Sequence, residues 1–459
     1  MLDLASVAQV LRARMLGGNA DFTRVSTDSR TVRAGDLFVA LNGPNFDGQD
    51  YADAALAAGA AAVMVTDIER VRSRDARVLM VDDTRIALGK LAAWWRTRFD
   101  IPVVAVTGSN GKTTVKEMIA SCLRIAAGEQ AVLATAGNLN NDIGVPLTLL
   151  QLAPRHRFAV IEMGMNHLGE ISYLARLARP SVALISNAGV AHLGELGSRD
   201  AIAQAKGELF EELLPGAVAL LNADDSYAHY WRGLLPGRRA ITFGIHNDAD
   251  FSAHYELAES GSLLTVRTPH SVFLAMVGVP GPHNVSNALA AIAVCQTLRL
   301  KPSAIAAGLS AYHGVKGRLQ QTQLSNGCVL IDDTYNANPD SMRAAIAVLA
   351  ARPGHKTLVL GDMGELGAEG STLHAAVGTF AREAGVDRLF ALGDLARQSS
   401  AGFGKNARHF DHIGDLLAEL QPTLGADCTV LVKGSRFMHM ERVVDHLTRE
   451  PMNSTNGDH

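Results

Sequence analysis

The chain has 459 residues, 47% of them hydrophobic and 19% charged, with a formal net charge of -4. That length exceeds the roughly 250 to 300 residues at which one core stops growing, so two or three separate cores are expected. The apolar content excludes wholesale disorder, and the small net charge argues against a general binder of nucleic acid.

Other absences narrow the class. The longest apolar run, Ala54 to Val65, falls short of the ~18 residues a membrane span needs, and MLDLASVAQVLRARM lacks the anatomy of a signal peptide. A soluble, cytoplasmic protein is expected. The four cysteines, Cys122, Cys295, Cys328 and Cys428, show no CxxC spacing and read as small core residues in a reducing compartment.

Short apolar runs ending in Gly, Asp or Asn alternate with helix-period segments, the pattern of an α/β chain built on parallel sheets. A first unit, residues 1–98, closes with a helix that carries Trp94 and Trp95 and ends near Phe99. In IPVVAVTGSNGKTT a strand runs into a glycine loop, and Val115, Met118, Ile119, Cys122 and Leu123 then recur at helical spacing, so a helix begins near Lys112. Strands at Phe158 to Met163 and Val182 to Asn187, a helix from Asp200 to Leu214 and the buried helix GPHNVSNALAAIAVCQTL complete a central unit, residues 99–313. After Tyr312 the strands CVLIDD, TLVLGD, RLFALGD and TVLVKGS restart the rhythm, which predicts a third, doubly wound unit over 314–459. Only the tail PMNSTNGDH reads as disordered.

The glycine loop carries the clearest chemistry. Backbone amides of a loop that opens a helix wrap phosphate oxygens, a lysine neutralises the transferring phosphate, and a following hydroxyl binds Mg2+. Thr107, Gly108, Ser109, Asn110, Gly111, Lys112, Thr113 and Thr114 supply those parts as G-x-x-G-K-T, with Val106 where the commoner spacing has its first glycine. The bland alternative is an ordinary strand-turn-helix with an exposed lysine.

TGSNGKTT, VIEMGMNHLGEI and NAGVAHLGELGS together resemble the Mur ligases, the ATP-dependent amide-forming enzymes of peptidoglycan assembly. The resemblance spans nearly the whole chain. It implies three domains: one for a UDP-linked substrate, a central P-loop ATPase with a parallel sheet core, and a C-terminal Rossmann-like domain for the incoming amino compound. Within the family, TAGNLNNDIGVPLTLL, AKGELF, DDTYNANPDSM, VLGDMGELG and VKGSR are similar to the member that joins D-alanyl-D-alanine to a UDP-N-acetylmuramoyl tripeptide. A monomer using ATP, two Mg2+ ions and a carbamylated lysine is the implied enzyme.

The implied roles fall on particular residues. Glu162 ends a predicted strand, where ligands collect, and by resemblance binds Mg2+; a polar strand cap is the alternative. His192 stands on a glycine-bounded loop where a neutral imidazole can bind metal, or is simply a loop residue. Lys206 lies on the apolar stripe of its helix, four residues from Ile202 and from Phe210. It either snorkels or, its pKa lowered by burial, takes up CO2 as the related ligases do. Asn287 in HNVSN is suited to adenine, unless Asn284 or Ser286 there only cap a helix. Arg318 and Asp333 match family positions that reach the nucleotide from the third domain, against a surface ion pair.

Ser29 and Arg30 lie in the segment similar to the family's uridine site, although Asp28 and Ser29 also suit a plain turn. Asn138, Asn140 and Asn141 suit the sugar and peptide of the UDP substrate, or cap a loop. For the dipeptide the resemblance points to Asn336, Asn338, Ser341, Lys433, Gly434 and Ser435. Rival readings are a related ligase such as folylpolyglutamate synthase, a P-loop switch or motor, and a non-catalytic nucleotide-binding module. The DNPR motif by which the diaminopimelate-adding ligase reads its amino acid is absent.

Overall fold

A run such as VVAVT, β-branched except at Ala105 and apolar up to Thr107, is stable as a strand only when both faces of its sheet are covered. In the computed structural model, which describes residues 2–73, 75–190, 193–258 and 261–449, that condition is met by helices on either side. Val104 and Val106 of the strand Val103–Thr107 pack with the helices Lys112–Ala127 and Pro282–Thr297. The alternate residues Val103 and Ala105 pack with Glu170–Ala178 and Arg199–Glu211.

The central sheet is parallel throughout, in the order Val132–Ala134, Phe158–Glu162, Val103–Thr107, Val182–Ile185, Val218–Asn222 and Ala240–Phe243. Its earliest strand lies in the middle, with later strands to either side. Loops leaving the carboxyl ends therefore part around Val103–Thr107, and a crevice opens where α/β sheets bind ligands.

Two further sheets flank this one. Near the N-terminus, Arg14–Leu16 runs antiparallel to Val78–Met80, followed by parallel Ala62–Val65, Asp36–Val39 and Arg24–Ser26. The third sheet orders Gln320–Gln323, Val329–Asp333, Cys428–Lys433, His355–Gly361, Arg388–Leu392 and Ala407–Phe410, parallel except for its first strand.

The expected α/β class and parallel sheets are therefore present, and the helix following the glycine loop does begin at Lys112. The lysine helix spans Arg199–Glu211, short of Leu214, and the tryptophan helix Thr84–Arg96, short of Phe99. A three-stranded antiparallel sheet, Ser252–Ala258, Gly261–Arg267 and Val272–Val277, was not anticipated. All four cysteines are buried free thiols. The tail expected to be disordered lies outside the described residues. Among the described residues, no helix is long and apolar enough to cross a membrane.

Candidate active site

The glycine loop turns because Gly108 and Gly111 adopt φ of 151° and 79°, the latter a left-handed conformation that costs a side chain strain. Space demands glycine as well. A Cβ on Gly108 would meet Ser186 Oγ at 1.9 Å, and one on Gly111 would meet Asn287 Oδ1 at 2.3 Å. The loop is tied to the neighbouring strand end: the Asn110 amide donates to Asn187 Oδ1 at 2.9 Å, while Asn187 Nδ2 and Ser186 Oγ donate back to the Asn110 carbonyl at 3.0 and 2.8 Å.

Lys112 folds over this loop, donating from Nζ to the Gly108 and Ser109 carbonyls at 2.7 and 3.2 Å. Burial pushes its ammonium pKa down, and the Glu162 charge opposes that shift. The Thr113 hydroxyl donates to Glu162 Oε2 at 2.8 Å, and Asn140 Nδ2 donates to Glu162 Oε1 at 2.8 Å. A hydroxyl beside a buried carboxylate is a hard oxygen set that fits Mg2+, an ion commonly held by one or two carboxylates plus substrate phosphates.

Facing this wall across a cleft of about 1160 Å³ are loops of the third sheet. Arg318 stacks over the Tyr335 ring at 4.1 Å and reaches Thr113 Oγ1 with one guanidinium nitrogen at 3.0 Å. Asn338 caps the helix Pro339–Ala350 in a reciprocal box with Ser341, and its Nδ2 donates to Asn110 Oδ1 at 2.8 Å. Asp340 Oδ2 accepts from the Val190 amide at 3.1 Å. The two walls thus touch through residues more than a hundred positions apart.

Most of the expected site residues line this one cleft. Ser109 to Thr114, Asn138, Asn140, Asn141, Glu162, Asn287, Arg318, Asp333, Asn336, Asn338, Ser341, Lys433 and Ser435 are all on its surface. Thr107 lies just behind, its hydroxyl donating to the Met163 carbonyl at 2.8 Å. Gly434 also sits behind the surface, where a Cβ would meet Met440 at 2.6 Å. Asn287 is buried and donates to Asn284 Oδ1, and Asn284 donates to the Pro280 carbonyl, so Asn284 braces the helix start and orients Asn287.

Some placements differ from expectation. Arg318 and Asp333 do not pair with each other on the surface: Asp333 is buried and accepts from Lys433 Nζ at 2.5 Å, and burial raises its carboxyl pKa against that cation. Lys433 also donates to the Asn336 carbonyl at 2.8 Å, so its charge is spent on the wall itself. Asn141 caps the Gly144 amide at 2.9 Å, and only Asn140 of its group reaches Glu162. Arg30 is exposed and paired with Asp28 at 2.8 Å, and Ser29 opens a short turn capped by Asp28; neither lines the cleft. His192 lies outside the described residues.

Lys206 is 1% exposed and makes no hydrogen bond to any described residue. Desolvation, then the nearby Lys112 charge, drives its ammonium pKa well down. Asn187 and Ser186 were missed, yet a polar pair ending a predicted parallel strand beside the glycine loop was a usable signal. Asp340, in the first turn of the helix Pro339–Ala350, and Glu365 also line the cleft, with no sequence signal beyond the motifs DDTYNANPDSM and VLGDMGELG that contain them.

Known proteins can now be set against this geometry. Models of the Mur ligase family, catalytic domain, the Mur ligase middle domain and the Mur ligase, glutamate ligase domain match residues 21–96, 106–295 and 317–436. The chain is 42% identical to a UDP-N-acetylmuramoyl-tripeptide--D-alanyl-D-alanine ligase of Escherichia coli, over 96% of its own length and 97% of the relative's. The chain belongs to the Mur ligase family. It is also 35% identical to the Bacillus subtilis ligase of that name, over 93% of each. Among solved members of the family, the crystal structure of MurF from Acinetobacter baumannii superposes with a TM-score of 0.90 at 36% identity, covering 97% of this chain and 98% of that one. MurF from Thermotoga maritima, solved in complex with ADP, gives 0.82 at 29% identity over 93% and 97%.

Proposed function

We propose that this Mur ligase joins D-alanyl-D-alanine to a UDP-N-acetylmuramoyl tripeptide at the expense of ATP, making a peptidoglycan precursor in the cytoplasm. The observation that carries the reading is the cleft in which Lys112, Thr113 and Glu162 face the neutral polar wall of Asn336, Asn338 and Ser341. The name shared by the full-length relatives supports it. Residues 1–98 hold the UDP end through Ser29 and Arg30, 99–313 hold ATP, and 314–459 hold the dipeptide.

The tripeptide carboxylate attacks the γ-phosphate of ATP, and ADP leaves. The amides of Ser109 to Thr113 and the Lys112 ammonium hold the phosphoryl oxygens as their charge develops. Asn287 takes the adenine, while Arg318 and Asp333 close over the nucleotide from the opposite wall. Asn138, Asn140 and Asn141 orient the sugar and peptide of the acceptor. The dipeptide amine then attacks the acyl phosphate, and phosphate leaves an amide behind. Asn336, Asn338 and Ser341 meet the dipeptide's internal amide, with Gly434 and Ser435 bounding its carboxylate end. Thr113, Glu162, His192 and Lys206 as its carbamate are suited to two Mg2+ ions, which neutralise phosphate charge when bound. The neutral amine is the form that reacts with CO2, and burial pushes the Lys206 ammonium pKa well down, which supports the carbamate.

Phosphate release with each substrate omitted in turn, followed by competition among D-alanyl-D-alanine, D-alanine and meso-diaminopimelate scored by product mass, tests this reading. Equal incorporation of a single amino acid would overturn the dipeptide assignment. Lys206→Ala should be nearly inactive and partly rescued by small carboxylates; electron density for an unmodified amine in CO2-equilibrated enzyme with ATP would remove the carbamate.

A further inference from the structure

The loop Asp362 to Gly367, which leaves the carboxyl end of the strand His355–Gly361, is held at three consecutive residues by three different elements. The Met363 amide donates to His374 Nε2 at 2.9 Å, and His374 is fully buried with Nδ1 at 2.6 Å from the Gly370 carbonyl. That arrangement needs the neutral imidazole with its proton on Nδ1. The Gly364 amide donates to Ser435 Oγ at 2.8 Å. The Glu365 carbonyl accepts from the Gly194 amide at 2.8 Å, a contact reaching into the central unit.

Glu365 itself has φ of 62°, a left-handed conformation that glycine or asparagine takes more easily than glutamate. Glycine at 365 would relieve that strain and still offer the carbonyl to Gly194. The side chain is what the strain retains, and it lines the cleft. Its charge is among those that oppose the burial shift of Lys112, which places the carboxylate within electrostatic reach of the phosphate-directed ammonium. Asp333, buried against Lys433, and Asp340, which accepts from the Val190 amide at the seam, stand on the same wall.

We infer that Glu365 receives the ammonium of the incoming dipeptide and takes its proton as the amine attacks the acyl phosphate. The inference rests on the ligase reading and supplies the base that reading lacks. The dipeptide arrives as an ammonium, which has no lone pair. One proton passes to the Glu365 carboxylate; the freed lone pair forms the C–N bond. The bond from carbon to the phosphate oxygen then breaks, the departing phosphate carries off the second proton, and the amide nitrogen keeps the third. The carboxylate offsets the positive charge of the waiting nucleophile close to Lys112, where an unpaired ammonium would be repelled. Other charged or titratable groups on adjoining elements are Lys112, Glu195 on the short helix Leu193–Leu196, and Arg436 and His439 on the turn after Cys428–Lys433.

The test compares two nucleophiles in the full-length enzyme with ATP, Mg2+ and UDP-tripeptide. Hydroxylamine is largely unprotonated at neutral pH and needs no base, whereas the dipeptide amine ionises near pH ~8. Glu365→Gln, of the same shape and with the same backbone strain, should lose about a hundredfold or more in dipeptide ligation at pH 7 while forming hydroxamate within a few-fold of wild type. Its deficit should narrow as pH rises through ~8, where the amine loses its own proton. Glu365→Asp should recover part of the rate. Dipeptide ligation by Glu365→Gln above about a tenth of wild type, a matching loss of hydroxamate in protein of unchanged Tm, or a deficit independent of pH would each overturn the role. Failure of the wild type to form hydroxamate would instead strike the acyl-phosphate reading.

Discussion

The two walls of the cleft are built by different means. The phosphate wall is almost one piece of chain: a strand end, a glycine turn and the first turn of a helix, with Asn187, Asn140 and Glu162 bracing it. The facing wall is gathered from loops at residues 318, 333–341, 362–366 and 433–439. The first depends on backbone amides that cannot be mutated away. The second depends on side chains holding separate loops in register, so it should be broken piecemeal and by smaller steps.

The largest effect is expected on the first wall. Lys112→Ala should lower turnover about a thousandfold or more with little change in Tm, because it removes a phosphate-directed charge from a half-buried loop position. Steady-state phosphate release from the folded variant checks this, and a residual rate above about a tenth of wild type would contradict it.

Removing the cation that bridges the walls should cost less. Arg318→Met forfeits one charge-assisted hydrogen bond to Thr113, in the range of about 1.5–3 kcal/mol, so kcat/KM for ATP should fall roughly 10- to 150-fold. An unchanged value would mean the bridge contributes nothing to the nucleotide.

Acid should open the seam. Burial, then the Lys433 charge, pushes His283 down to about 4, so the folded protein holds it neutral while the unfolded chain protonates near 6.5. The stability it contributes is present above about 6.5 and is lost as pH falls towards about 4. Calorimetric Tm should drop over that window, and His283→Gln should flatten the drop; an equal slope in both proteins would exclude His283 as the cause.

The smallest effects belong to caps and rims. Asn338→Ala breaks a capping box, at about 1 kcal/mol, and the contact to Asn110, so Tm should fall by a few degrees and KM for the dipeptide should rise. The exposed Arg85–Asp142 pair joins the first unit to the second, and Arg85→Ala should change stability by less than about 1 kcal/mol in urea titrations.

The phosphate wall was legible because its chemistry is local: G-x-x-G-K-T between an apolar strand and a 3.6-period helix needs no distant partner to be recognised. Glu162 and Asn287 were singled out by strand-end and helix-start position together with resemblance, and both line the cleft. The antiparallel sheet at Ser252–Val277 was missed although its strands do alternate, His254, Glu256 and Arg267 facing out between the inward Ala253, Tyr255, Leu264 and Val266. The partners of Lys433 and Arg318 were not legible for another reason. A cation's partner is set by what packs against it, and neither Asp333 nor Thr113 is its sequence neighbour.

Composition and periodicity by themselves determined a multi-core α/β chain, the strands and helices of its parallel sheets, and a phosphate loop at the end of one strand. These follow from 2- and 3.6-residue repeats and from backbone rules that act over a few residues. Tertiary structure alone decided that Asn338 reaches Asn110, that Gly194 grips Glu365, that Asp333 pairs with Lys433, and that Lys206 is buried within reach of the Lys112 charge. Each depends on which strand end lies beside which, and that order is fixed by the packing of whole sheets and helices.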